Sequence, residues 1–157
     1  MDIILAKTMS YIGSYGALIF STIGASYGTK EACAAAIGAW KKCYALNKPA
    51  PFQLIIFGSS PISQIIYGMI IMFIINDKII KNADVIVNVW PVLLVVGLFS
   101  GISLGIASWA QGVIGAMSSD SFGENNKGFV NLLMMVGIVE TVSIFTMAFS
   151  IVLVLSV

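Results

Sequence analysis

The chain has 157 residues, of which 59% are hydrophobic and only 10% charged, with a net charge of +1 and a mean hydropathy of +0.99. Soluble domains carry about 25% charged residues, so most of this chain requires lipid rather than water around it. It contains no His and no Arg, which removes histidine-based acid–base and metal chemistry, and no basic patch points to nucleic acid.

The first uncharged run extends from Thr8 to Thr29, where Lys30 and Glu31 interrupt it. Asp2 and Lys7 precede it, and no small-residue cleavage site follows, so it reads as a retained span rather than a signal peptide. The alanine-rich stretch Ala32–Ala39 is a strong helix former, and the helix is expected to continue to about Trp40. Small residues recur along this span at every fourth position, as Gly13, Ala17, Ser21 and Ala25 and again as Gly24, Gly28, Ala32 and Ala36. Cys33 and Cys43 fit neither a CxxC nor a zinc spacing and read as free thiols. Lys41, Lys42, Asn47, Lys48, Pro49 and Pro51 then mark a basic, proline-bearing connection.

The second span runs without a charge from Phe52 to Asn76. Ser60, Ser63, Gln64 and Tyr67 have the spacing that lines up on one helical face. Pro61 has no amide hydrogen for the carbonyl of Phe57, so a kink is expected there. In lipid, backbone groups freed in this way persist only where something else satisfies them. Hydroxyls, an amide, a phenol and carbonyls on one stripe make a ligand set for a small cation. Asp77, Lys78, Lys81 and Asp84 form the second connection.

The third span is placed at Val85 to Met117, with Gly97, Gly101 and Gly105 again four apart. Small residues at such spacing let helix backbones approach closely in lipid. We therefore expect the first and third helices to form a tight inner layer, with the bulkier second and fourth outside. Ser118 to Lys127 carries turn chemistry and reads as the third connection. In the fourth span, Glu140 is the only charged side chain between Gly128 and Val157. A carboxylate inside a membrane span costs at least a few kcal/mol and marks a candidate functional site; the plainer reading is a polar residue that only packs helices.

The fold class is thus an all-α membrane protein of four transmembrane helices in two hairpins, residues 1–80 and 81–157. Phe20-Ser21-Thr22-Ile23 recurs as Phe99-Ser100-Gly101-Ile102, and Ile37-Gly38-Ala39 as Ile114-Gly115-Ala116. This points to a duplicated hairpin, and for a membrane protein a closed ring of copies is one natural array. The lysines of the first and third connections place those loops in the cytoplasm and both termini on the other side. Counted from the entry of each helix, Ser63, Gln64 and Glu140 all lie about 11–12 residues in, roughly 17–18 Å deep and near the bilayer midplane. Burial disfavours a charged carboxylate there, and a bound cation offsets that cost. A loaded, neutral site can face lipid, whereas an empty, charged one is penalised and needs an external positive charge. The chain has no Arg to provide it, so that charge must come from another subunit.

On these residues the chain resembles the proteolipid K (c) subunit of V-type or A-type rotary ATPases. The resemblance spans nearly the whole chain and is most specific at Leu98-Phe99-Ser100-Gly101-Ile102, Pro61-Ile62-Ser63-Gln64-Ile65-Ile66-Tyr67-Gly68 and Val139-Glu140-Thr141. It implies a homo-oligomeric rotor ring in a prokaryotic cell membrane, without a catalytic site or cofactor, that carries H+ or Na+. The ring would turn in lipid against a stator subunit that supplies an Arg. It would bind central-stalk subunits through loops 41–51 and 118–127. By the same resemblance Glu140 matches the ion-binding carboxylate. Ser63 and Gln64 match positions that give side-chain oxygens to Na+, Ser60 matches one that gives a backbone carbonyl, and Tyr67 matches a hydrogen-bond partner of the carboxylate. Sodium-carrying members keep a Gln in the third helix at the position that aligns with Leu104. Leu cannot ligate a cation, Ser103 points about 100° away, and Gln111 lies nearly two turns further on. A ligand is therefore expected to be missing, which leaves H+ and Na+ both open. The competing classes are a small four-helix proton-coupled exporter and a structural or pore-forming proteolipid. Such exporters carry their acid in the first helix and lack an internal repeat.

Overall fold

The computed structural model describes residues 2–81 and 85–157. It is all-helical, with four segments long and apolar enough to cross a membrane, and the chain is an integral membrane protein. The first span is α1, Ile3–Ala45, a continuous helix of 43 residues. The second is α2, Leu54–Ser59, a 3-10 turn over Ser60–Ile62, and α3, Ser63–Lys81. The third is α4, Ile86–Asn125, and the fourth is α5, Phe129–Ser156. Asp84, assigned above to the second connection, lies outside the described residues.

The main packing contact is between α1 and α4, which run side by side in the same direction. Every buried residue of α1 is Ala, Gly, Ser or Cys. The reason is steric, because a Cβ placed on Gly24 would land on the backbone of Gly105, and one on Gly112 would land on Gly28. Gly13 and Gly97 meet in the same manner. Close backbone approach through small residues is how helices gain van der Waals contact where lipid removes the hydrophobic drive. The second span lies against α1 and α4, and α5 packs on α4 and α3. Only Val136, Ser143 and Val154 of α5 are buried, so its bulky face is turned outward.

Two boundaries differ from the sequence reading. α1 continues past Trp40 to Ala45, and α4 continues past Met117 to Asn125, so the turn-rich residues Ser118–Asn125 are helical. Tertiary contacts override local turn preference there. Ser118, Ser119 and Phe122 are buried, Phe122 packs with Phe57 and Phe129, and Lys42 pairs with Glu124 at 2.7 Å. The connections therefore shrink to residues 46–53 and 126–128, rather than 41–51 and 118–127. The second of these turns on Asn126 at φ 57° and Gly128 at φ 77°, residues that tolerate left-handed backbone. Trp40 pins the first by donating its Nε1–H to the carbonyl of Pro51 at 2.7 Å.

The expected irregularity at Pro61 is the 3-10 turn of the second span. The Phe57 carbonyl, deprived of its partner by Pro61, accepts the Ser60 hydroxyl at 3.0 Å. The Pro61 carbonyl accepts the Ser108 hydroxyl from α4 at 2.6 Å. Both carbonyls thus accept a side-chain hydroxyl, the kind of partner that backbone groups freed inside a membrane need, and the turn places Ser63 at the head of α3.

Candidate ion-binding site

Glu140 sits near the middle of α5, half-buried, facing α3 and α4. The Tyr67 hydroxyl donates to its Oε1 at 2.6 Å, and Gln111 Nε2 donates to its Oε2 at 2.8 Å. Gln64 lies behind this pair, fully buried, with its Nε2 donating to Gln111 Oε1 at 2.6 Å and to Ser143 Oγ at 3.1 Å. Ser63 Oγ lies 3.0 Å from the Ser60 carbonyl and 3.2 Å from Gln64 Oε1; its one proton can serve only one of them.

Of the residues named from sequence, Tyr67 and Glu140 touch directly, while Gln64 and Ser63 join them through Gln111 and each other. Ser60 stands apart. Its hydroxyl is bound to Phe57, and its carbonyl accepts both the amide and the hydroxyl of Ser63.

Leu104 is fully buried in an apolar cluster with Ala17 and Val96, and Ser103 pairs with Thr146 at 3.3 Å. The amide that faces Glu140 from α4 is Gln111, so the expectation of a missing third-helix amide is corrected. Alignment through Phe99-Ser100-Gly101-Ile102 points to Leu104, seven residues before Gln111. With α4 running to Asn125, Gln111 lies about 14 residues from that end, close to the depth of Glu140. Ser143 was also overlooked, although three residues beyond Glu140 is the same helical face.

A second acid lies against α4. Glu31 accepts the Trp109 indole N–H at 2.9 Å, two residues along α4 from Gln111. The two side chains line a groove between α1 and α4 with Phe20, Tyr27 and Ile106, apart from the Glu140 cluster.

Among the described residues no group of three or more His, Cys, Asp or Glu side chains comes together. The cluster instead offers one carboxylate, two amide oxygens and a hydroxyl. These are hard oxygen donors with a single negative charge, chemistry suited to a proton or a monovalent hard cation and not to a soft transition metal.

Residues 94–153 match the ATP synthase C-subunit family. The matched stretch takes in Gln111, Glu140 and Ser143, so both sides of the α4–α5 half of the cluster fall within it. The family is one of non-catalytic, ion-translocating rotor proteins. No curated protein matches the chain.

Proposed function

We propose that this chain is the ion-carrying subunit of a V/A-type rotor ring, and that Glu140 loads and releases one cation per copy as the ring turns against a stator. The observation that carries this reading is the oxygen cluster closed around Glu140 by three helices. Tyr67 and Gln111 hold the carboxylate, and further oxygens follow in a chain, Gln64 bonded to Gln111 and Ser63 to Gln64. The match over residues 94–153 supports it. Four spans with this one polar cluster favour the duplicated, V/A-type form.

Gln111 tips the choice of ion toward Na+. A proton on the carboxylate needs one acceptor, whereas a bare cation needs several oxygens to replace its hydration shell. Glu140, Gln111, Gln64 and Ser63 can supply them, and the Ser60 carbonyl joins when the Ser63 hydroxyl turns away. A bound Na+ balances the carboxylate, so the loaded site can face lipid. An Arg on the stator would displace the ion where the ring meets water.

The test is carbodiimide modification of Glu140 in the assembled complex at neutral pH. Sodium is expected to protect Glu140, and Glu140→Gln to abolish ATP-driven ion uptake. Uptake that survives Glu140→Gln would sink the carrier reading. Labelling indifferent to sodium would sink the choice of Na+ and leave a proton carrier.

A further inference from the structure

We infer that Ser143 is a positioning residue for the cation, holding Gln64 so that its amide presents oxygen rather than nitrogen to the ion; this rests on the sodium reading of the same site. A glutamine side chain offers an oxygen on one edge and an NH2 group on the other, and only the oxygen can ligate a cation. Nothing in its shape favours either orientation, so the surroundings must decide.

Here both N–H bonds are taken. One goes to Gln111 Oε1 at 2.6 Å and the other to Ser143 Oγ at 3.1 Å. That leaves Oε1 facing Ser63 Oγ at 3.2 Å, which puts two oxygens side by side on the edge of the cluster. The two restraints are not equivalent. Gln111 Oε1 is itself a prospective ligand and is drawn away from Gln64 as a cation binds. Ser143 Oγ stands behind Gln64, fully buried, and is not needed by the ion. It is therefore the restraint that persists in the loaded state. Without it the amide can turn over, which would aim N–H at the cation and remove a ligand. A carboxyl that binds only a proton makes no such demand.

The discriminating measurement is the sodium concentration that half-protects Glu140 from carbodiimide in the assembled complex, paired with the pH profile of labelling without sodium. Loss of an outer partner of a metal ligand commonly costs about 10–100-fold in affinity. Ser143→Ala is thus expected to raise the half-protecting concentration about ten-fold or more and to leave the sodium-free pH profile unchanged. Ser143→Thr keeps the oxygen and should restore near wild-type protection. Ser150→Ala, which removes a hydroxyl bonded only to its own helix at Thr146, should change neither. If Ser143→Ala is protected at the wild-type sodium concentration, the positioning role is wrong. A shift of the sodium-free profile by both Ser143 variants would also overturn it, because packing would then explain the effect. If the wild-type complex shows no protection at all, the sodium reading itself fails, an outcome distinct from the other two.

Discussion

Both oxygens of Glu140 are held by groups from two other helices, and the two contacts differ in what they can become. Tyr67 offers a single O–H, which it donates to Oε1, so it can steady the carboxylate without being a ligand of first need. Gln111 donates to Oε2 and accepts from Gln64, so it joins the acid to the rest of the oxygen cluster. Gln111→Leu removes both links and leaves the buried amide of Gln64 short of an acceptor, a loss of about 1–3 kcal/mol. The expected result is that Glu140 still reacts with carbodiimide while sodium protection falls at least ten-fold. Tyr67→Phe should weaken protection less. Protection equal to wild type in Gln111→Leu would mean that the α4 amide is not part of the site. Gln111 was hard to see in the sequence because the Phe99–Ile102 repeat aligns the expected amide with Leu104, and no depth was counted along the third span to check it. Glu140 and the Ser63–Gln64–Tyr67 stripe lie in spans whose starts are sharply marked, by Pro49 and Pro51 and by Gly128. The end of α4 is not marked in this way, since its serines look like a turn.

The same boundary shows what helices this long obey. Isolated propensity would end α4 among Ser118, Ser119 and Ser121, whereas burial of Phe122 against Phe57 and Phe129 keeps it helical to Asn125. The glycine pattern was legible because it reflects a steric demand repeated at fixed spacing, and α1 and α4 meet along it. That demand gives a direct test. Gly24 has the backbone of Gly105 where its Cβ would go, whereas Gly38, in the same helix, has nothing within 4 Å. Gly24→Ala must separate the two helices and is expected to destabilise the protein by about 1–3 kcal/mol, the usual cost of overpacking. Gly38→Ala should stabilise α1 by roughly 0.5–1 kcal/mol, because alanine loses less backbone freedom in a helix than glycine. Thermal unfolding of the detergent-solubilised protein reads both changes. Equal midpoints for the two variants would contradict the α1–α4 crossing described above.

At the scale of the whole molecule, a rotor and an independent carrier predict different responses to partial damage. Only Val136, Ser143 and Val154 of α5 are buried and most of its residues are exposed, and a four-span unit with so open a face has room for neighbours on either side. In a ring, every copy must pass the same stator, so one copy that cannot load and discharge halts the rotation of all the others. In a set of separate four-helix exporters, each damaged copy removes only its own transport. Co-expression of the wild-type chain with Glu140→Gln at graded ratios distinguishes these cases without knowledge of the number of copies. For a ring, ATP-driven ion uptake should fall far more steeply than the wild-type fraction, because an intact ring becomes rare once each of its positions has a chance of carrying the variant. Intact-complex mass measurement at each ratio would show that both chains enter the same assembly, whose mass should contain a whole multiple of 16.7 kDa. A decline in strict proportion to the wild-type fraction, with both chains demonstrably mixed, would rule out the rotary reading and favour independent transport by each copy.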